Sequence, residues 1–566
     1  MHNLQYYFKD RPLLKKLARI RLRSCQFRHT GHFFAQTISL GPAPAHNSLP
    51  DIFPPRRAWH SHRSRYRQGK ENVLEESLYR AMAGFNQRDV GTTWAKNLAH
   101  TVDAIRRRAL GSDAFQFDRP KLRAEAKDRQ KGVYRPIAVF AMSDNIVCSL
   151  VAKYWCDFFG PVVSKSCLSF GFGDRDMPPA QRNDGIANLL DYQANHRVRP
   201  LHVAEADIMA CFDSVQHGVA WHCFQKLKSQ AEQYHGHPAD ETAVKIMQAY
   251  LACYCFEDAI MAEADLRTET GTPRAHFKRP PVMSSENARQ IGLPQGGALS
   301  GTFIHCVLHQ ADVALEQLKE AEGSEFLHLR FVDDMLLVSP DRATCELAYA
   351  CYLSTLTQLH LPFHSPTLVT TYGADFWDSK SKAPFLWDAS RQPGSCPWIR
   401  FLGYDLRADG MLRVSSGSVV RHQKKIDGFL RTFWRQLLKV KRLRHSLIEV
   451  TVRLRWHLVA MAIGRRPSQG EQHKISWTGS FPLLKGRPHV ETQLRALDRF
   501  RERNVIQFRA KVRDRFGRSG PKGGLQVRMA FRTSYVAAFS APSMLSSGRS
   551  WDDSKATRQP MSYPRD

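Results

Sequence analysis

The chain has 566 residues, 43% of them hydrophobic, and a formal net charge of +29 at pH 7. This length and composition predict a globular protein of two to four domains with a sizeable core. The twelve cysteines include no C-x-x-C pair, so their spacing predicts neither a zinc ribbon nor a disulfide framework. This pattern favours a reducing compartment. No apolar run approaches the ~18–20 residues of a membrane span, and there is no secretory signal. We therefore expect a cytoplasmic protein without a membrane partner.

The charge is distributed unevenly along the chain. Residues 1–70 carry a net charge of +12 and residues 411–566 carry +23, whereas residues 71–410 sum to −6. A mildly acidic middle between two basic ends is expected when the middle collects metal-binding carboxylates and the ends bind phosphates.

The first part of the chain predicts an extension followed by helices. Residues 1–70 contain a short basic amphipathic helix and then Gly-, Pro- and Ser-rich sequence, which indicates an N-terminal extension or linker. In residues 71–110 apolar side chains recur at spacings of three and four, which predicts helices. A strand over residues 131–140 and a helix over residues 143–159 come next.

Two segments in the middle of the chain combine an apolar element with residues suited to chemistry. An apolar strand beginning at residue 201 ends at Asp207 and runs into a turn. Further on, a Gly-rich loop containing Gln295 and Gly296 leads into a helix.

A third segment, residues 327–338, places two adjacent carboxylates between two short apolar runs. This pattern predicts two strands of a tight hairpin, with Asp333 and Asp334 in its turn. Adjacent carboxylates repel each other, so a turn gains little from them by themselves. A pair of divalent cations would supply the missing positive charge.

These three segments, in this order, resemble the A, B and C motifs of the reverse transcriptases. They read as a strand ending in Asp207, an LPQG loop at residues 293–296 and an FVDD hairpin at residues 331–334. Residues 169–175 partly match the loop that these enzymes carry before the first motif. The resemblance implies an α+β right-hand polymerase fold with fingers, palm and an α-helical basic thumb. The implied segments are an extension at 1–70, fingers and palm at 71–413, a thumb or C-terminal domain at 414–520 and a loose tail at 521–566.

The resemblance also implies the metal ligands. Asp207 and Asp333 would bridge two Mg²⁺ ions, with Mn²⁺ as an alternative. Asp334 would be a secondary ligand, and the Ile208 carbonyl would complete one coordination shell. The implied reaction is the addition of dNTPs to a primer by two-metal phosphoryl transfer.

Five further residues are implied to bind the nucleotide. Arg135 would clamp the triphosphate, with Lys131 as a second cation, because a guanidinium offers paired donors to phosphate oxygens. Phe212 would lie beneath the sugar and exclude a ribose 2′-hydroxyl. Gln295 and Gly296 would line the nucleotide pocket.

A lysine after the hairpin would serve as general acid to the departing pyrophosphate, and we favour Lys382 over Lys380. Asp213 is interpreted as a cap or turn residue rather than a ligand. The run that ends the palm resembles a primer grip, and its residues are Phe401, Leu402, Gly403 and Tyr404.

Among reverse transcriptases, the chain is most similar to the bacterial defence-associated ("unknown group") and abortive-infection enzymes. This assignment is by exclusion, because the chain has no Cys/His endonuclease cluster, no C-terminal VTG tripeptide and FVDD in place of YADD. It implies a non-coding RNA or RNA template, a DNA product, and a partner protein or homo-oligomer. Two alternatives stay open: a maturase of a group II intron or other mobile element, and a catalytically silent nucleic-acid-binding scaffold.

Overall fold

The computed structural model describes two compact units. One contains the described N-terminal residues and Leu74–Ser418, and the other contains Val73 and the described residues from Val419 onward. The described residues are 2–21, 52, 73–88, 91–111, 114–128, 133–169, 180–197, 199–261, 277, 280–281, 290–370, 372–390, 394–441, 443, 446–463, 477–485, 487–517 and 535.

Helices and strands alternate irregularly along the chain, which gives a mixed α+β fold and confirms the predicted fold class. The helices are α1 (Leu4–Tyr7), α2 (10–21), α3 (Val73–Asn86), α4 (Thr93–Leu110), α5 (Met142–Phe159), α6 (Ala180–Asn195), α7 (Cys211–Ser214), α8 (His217–His235), α9 (Glu241–Ala252), α10 (Ala298–Glu322), α11 (Arg342–Gln358), α12 (Ala374–Asp378), α13 (Ser416–Leu437), α14 (Leu447–Ile463) and α15 (Glu491–Phe516). The strands are β1 (Lys121–Asp128), β2 (Val133–Val139), β3 (Leu201–Ala206), β4 (Leu327–Phe331), β5 (Asp334–Ser339), β6 (Lys382–Trp387), β7 (Trp398–Phe401), β8 (Tyr404–Arg407) and β9 (Leu412–Val414).

The central sheet of the first unit has four antiparallel strands in the order β4-β5-β3-β6. The strands of the sheet are mostly apolar, and Leu336, Leu337 and Val338 in β5 are fully buried. Helices α10 and α11 pack against each other, and α11 also packs against β3, β5 and β6. The sheet is therefore held by a helical layer, and its strand ends can carry polar residues.

Two smaller sheets complete the first unit. Strands β1 and β2 form an antiparallel hairpin, and β7, β8 and β9 form a three-stranded antiparallel sheet. The turn between β7 and β8 has positive φ at both Leu402 and Gly403, as in the tightest two-residue hairpins.

The described N-terminal residues are part of the first unit. Leu13, Leu14 and Leu17 of α2 are fully buried in the main hydrophobic core. The Tyr7 hydroxyl donates a hydrogen bond to Asp157 of α5, at 2.6 Å. The predicted basic helix therefore exists, and its apolar face packs in the core of the first unit.

The second unit is helical and basic. Helices α14 and α15 pack together, and Phe433 of α13 stacks on Phe508 of α15 with ring centroids 5.1 Å apart. Tyr535 is fully buried, and its hydroxyl bonds to Nε2 of His422 at 2.7 Å. Among the described residues, no helix is long and apolar enough to span a membrane.

Replacing Leu17 by Ala tests the packing of the N-terminal helix. Because Leu17 is fully buried, the Leu17→Ala substitution should lower the free energy of unfolding by about 2–5 kcal/mol. Urea denaturation of the full chain measures this change. The exposed Gln5→Ala variant is the control and should change the free energy by less than about 0.5 kcal/mol. Equal effects in the two variants would contradict the packing.

Candidate active site

The pairing of β3 with β5 brings two of the predicted carboxylates together. Ala206 pairs with Met335, so Asp207 and Asp334 face each other one position further along the two strands. Directly opposed residues of an antiparallel pair have Cα atoms about 4.5–5.5 Å apart. Asp333 lies in the turn next to Asp334. Asp207, Asp333 and Asp334 therefore lie together at the same end of the two inner strands β3 and β5.

The turn between β4 and β5 differs from the sequence prediction in its central residues. Phe331 pairs with Asp334, so the turn consists of Val332 and Asp333, and Asp334 already belongs to β5. Val332 has φ +58°, a conformation that costs a β-branched residue on the order of 1–3 kcal/mol. The prediction that the turn holds both aspartates is thus wrong by one position.

The acidic residues perturb each other. Desolvation and the neighbouring Asp207 raise the pKa of Asp333 above its ordinary value. Desolvation, followed by repulsion from Asp333, Asp207 and Glu205, raises the pKa of Asp334 to about 7. The cluster holds more negative charge than its protein neighbours neutralise.

Basic side chains from two parts of the chain interact with the cluster. The Lys380 ammonium is 3.0 Å from Oδ2 of Asp207, and Nε2 of His364 is 3.3 Å from the same oxygen. On the β1–β2 hairpin, desolvation and the positive charges of Arg135 and Lys380 lower the pKa of Lys127.

Arg135 and Lys131 are the two cations that the sequence predicted to bind the triphosphate. The charge of Arg135 acts on both Asp333 and Asp213, so Arg135 lies within electrostatic range of the acidic cluster. Lys131 lies outside the described residues. Lys127, which the sequence analysis did not select, lies at the irregularity of β1 between Ala126 and Asp128. Its charge interacts with those of Asp207 and Asp333.

The two lysines after the hairpin have different surroundings. Lys382 is 5% exposed and its ammonium pairs with Oε2 of Glu205 at 2.5 Å. Lys380 is half-exposed and contacts Asp207. Lys382 therefore neutralises a carboxylate inside the sheet, and Lys380 is the lysine at the acidic cluster.

The Ile208 carbonyl, a predicted metal ligand, points away from the neighbouring segment 362–364. Ile208 bridges Phe363, and the flanking hydrogen bonds run from Met209 N–H to Pro362 O and from His364 N–H to Asp207 O. In such a non-hydrogen-bonded pair the residue's own carbonyl points away from the partner segment.

Gln295 is hydrogen-bonded to Asp213, which the sequence analysis interpreted as a cap or turn residue. Its Nε2 donates to both carboxylate oxygens of Asp213, at 2.8 and 2.9 Å. Asp213 is buried, and desolvation raises its pKa to about 7. Asp213 therefore orients Gln295 and is not a helix cap; Gln216 occupies the N-cap of α8.

Gly296 and Gly297, which follow Gln295, let the loop pack closely against β2 and Tyr250. Gly296 has φ +106°, and a Cβ there would lie 3.1 Å from the Ala138 carbonyl of β2. A Cβ on Gly297 would lie 1.8 Å from the Tyr250 hydroxyl. The Ala138 N–H also donates to the Gln295 carbonyl at 2.8 Å. The loop is thereby docked on the β1–β2 hairpin.

The remaining predicted residues lie near the site or in the third sheet. Phe212 is half-buried in α7 and packs against the main core. Phe401 and Tyr404 are buried, so of the predicted primer grip only the Leu402–Gly403 turn projects from the sheet.

The donor chemistry of the site fits a hard divalent cation, because carboxylate and carbonyl oxygens are the ligands that Mg²⁺ prefers. The raised pKa of Asp334 indicates charge that such a cation would neutralise. As placed, however, no group of three or more His, Cys, Asp or Glu side chains is arranged to hold a metal within the described part of the chain. Asp207 is instead turned towards Lys380 and His364.

Residues 125–404 match the reverse transcriptase (RNA-dependent DNA polymerase) family. This part of the chain is a reverse transcriptase domain. The match covers the β1–β2 hairpin, the central sheet and the site described above. It agrees with the α+β palm that the sequence predicted.

Solved structures similar to the chain include fungal telomerases. The apo telomerase of Candida tropicalis truncated from its C-terminal domain is 12% identical, with a TM-score of 0.35 over 53% of this chain and 55% of that chain. The Candida albicans telomerase in complex with a TWJ fragment of telomeric RNA is 12% identical, with a TM-score of 0.34 over 69% and 66% of the two chains. The chain thus spans little more than half the length of the first of these. No curated protein sequence matches the chain significantly.

Asp213 gives a pH-dependent prediction for the reverse transcriptase domain. Its raised pKa means that the folded state binds the proton more tightly than the unfolded state, so stability is lost as pH rises from the ordinary pKa to about 7. Asp213→Asn should therefore gain about 2–3 kcal/mol relative to the native chain between pH 5 and pH 8. Urea unfolding at the two pH values measures this difference.

Asp341→Asn is the control, because the pKa of Asp341 is lowered by its hydrogen bonds to Thr344. Asp341 is ionised throughout that range in both states, so the difference should stay constant. A constant difference for Asp213→Asn as well would contradict the burial of an ionisable carboxyl beside Gln295.

Proposed function

We propose that the chain is an RNA-directed DNA polymerase that adds dNTPs to a primer by metal-assisted phosphoryl transfer. The observation that carries the proposal is the strand register that sets Asp207 opposite Asp334, with Asp333 beside them and cations facing all three. A purely structural strand end gains nothing from three clustered carboxylates, of which Asp333 and Asp334 have raised pKa values.

The residues with the donor chemistry to hold two divalent ions are Asp207, Asp333, Asp334 and the Ile208 carbonyl. When bound, such ions lower the pKa of the primer hydroxyl and neutralise the charge that develops on the leaving pyrophosphate. Metal binding requires Asp207 to exchange its contact with Lys380 for the ion.

The cationic residues would bind and orient the triphosphate. Arg135 and Lys127 stand on the β1–β2 hairpin, where their charges reach the acidic cluster. A guanidinium binds phosphate with paired hydrogen bonds, and an ammonium acts as a point charge. Lys380, released from Asp207, is the residue best situated to give a proton to the departing pyrophosphate.

Two residues would select the nucleotide. Phe212 would contact the sugar face and exclude a 2′-hydroxyl. Gln295, whose amide nitrogen is held by Asp213, would offer its remaining acceptor to the nucleotide. Asp213 thereby fixes which end of the amide faces the substrate.

The proposal also includes a template and a cellular role for the chain. A bacterial, cytoplasmic enzyme of antiphage defence that works with a non-coding RNA or a partner protein follows from the resemblance described for the sequence. Sequencing the nucleic acid that copurifies with the chain tests this role. A dedicated non-coding RNA supports it, whereas a structured intron RNA supports a maturase.

Asp207→Asn tests the assignment of the acidic cluster. The substitution removes the charge of a carboxylate that is proposed to bind both ions. Mg²⁺-dependent dNTP incorporation should therefore fall by about three orders of magnitude or more. The assay uses a primed RNA template and a radiolabelled dNTP, with and without added template. The exposed Asp375→Asn variant should keep native activity. Near-native incorporation by Asp207→Asn would refute the assignment.

Phe212→Val tests sugar selection. With a smaller side chain beneath the sugar, the ratio of rNTP to dNTP incorporation should rise about ten- to hundredfold. Single-nucleotide kinetics with matched rNTP and dNTP give this ratio, and the dNTP rate is the internal control for folding. An unchanged ratio at an unchanged dNTP rate would show that Phe212 is only a packing residue.

A further inference from the structure

The turn that carries Asp333 needs support from elsewhere in the chain. Its first central residue is Val332 at φ +58°, where two-residue hairpins of this kind place glycine. A β-branched residue persists in such a conformation only when the surroundings over-determine it.

Both polar groups of the Val332 backbone are held by side chains behind the hairpin. The Val332 N–H donates to Oγ of Ser169 at 2.7 Å, and Nη1 of Arg330 donates to the Val332 carbonyl at 3.0 Å. The two bonds fix the peptide units on either side of Val332. They therefore fix the direction in which the chain enters Asp333.

Arg330 is itself held by a buried carboxylate. Arg330 and Asp312 of α10 are both fully buried, and the guanidinium binds the carboxylate in bidentate fashion, at 2.8 and 2.5 Å. Burial opposes ionisation of Asp312, yet Arg330 holds its pKa below the ordinary value. Buried pairs of this kind contribute little more to stability than apolar residues of similar volume, so stability alone does not explain the pair.

The segment that precedes Ser169 is hydrogen-bonded to β4, the strand that leads into the Val332 turn. The Arg330 N–H donates to the Ser166 carbonyl at 2.9 Å, and the Leu168 N–H donates to the Arg330 carbonyl at 2.8 Å. Residues 166–168 thus run along the free edge of β4. Ser169, in the segment that resembles the loop before the first motif, follows directly.

We propose that Asp312, acting through Arg330, and Ser169 are positioning residues that hold the strained Val332 turn and so aim the Asp333 carboxylate. Neither residue touches the reacting groups. The inference rests on the proposed function for its kinetic consequence, but the support of the turn is a property of the folded chain alone.

Ser169→Ala is the first test, because it removes one bond to Val332 without leaving a buried charge. Amide hydrogen exchange of a peptide spanning residues 327–338 should become about tenfold faster, since the Val332 N–H loses its acceptor. The turnover number should fall about tenfold or more, with little change in dNTP KM or melting temperature. Ser339→Ala is the matched control: Ser339 is buried in the same hairpin and its hydroxyl bonds to Glu325 O.

Val332→Gly is the second test, because glycine adopts positive φ without strain. In the Val332→Gly background, Ser169→Ala should lower turnover by less than about threefold, which is a coupling that a merely structural serine would not produce. The paired substitution Asp312→Leu with Arg330→Met keeps an apolar core and should behave like Ser169→Ala, with the same rescue by Val332→Gly.

The outcomes separate the two proposals. Native exchange and turnover in Ser169→Ala, or a full loss of turnover that Val332→Gly does not reduce, overturns the positioning role. If the native chain incorporates no nucleotide, the proposed function fails, and the exchange rates of Ser169→Ala and Ser339→Ala still decide whether the turn is held as described.

Discussion

The electrostatic repulsion among three carboxylates is the constraint on which the site depends. Strand pairing forces Asp207 and Asp334 to face each other, and the turn adds Asp333. Such an arrangement costs free energy unless cations neutralise it. Around it the chain has placed Lys380 on Asp207 and Lys382 on Glu205, and the charges of Lys127 and Arg135 reach it from the β1–β2 hairpin. The sheet supplies the rigidity that keeps the acidic groups together despite their repulsion.

The two lysines illustrate how similar residues acquire different tasks. Lys382 sits within β6, where its side chain is buried and must pair with Glu205 to avoid an uncompensated charge. Lys380 precedes the strand and is half-exposed, so it can exchange partners. Burial, rather than residue type, makes Lys382 part of the scaffold and leaves Lys380 partly exposed beside Asp207.

Buried carboxylates play the same supporting part behind the β4–β5 turn and beside Gln295. Asp213 holds the amide of Gln295, and Asp312 holds Arg330, which holds the Val332 carbonyl. In both cases a buried carboxylate fixes a side chain or peptide that faces the site. A site that must position charge within fractions of an ångström needs such supporting contacts.

The sequence by itself determined the fold class, the order of the three motifs and the acidic residues. Apolar runs, a glycine-rich loop and adjacent aspartates are local patterns, and local patterns can be read without coordinates. Only the tertiary structure decided which lysine meets Asp207, that Asp213 pairs with Gln295 rather than capping a helix, and that Val332 occupies the strained turn position. These facts depend on strand register and on contacts between residues far apart in the chain, because a shift of one position moves a side chain to the opposite face of a sheet.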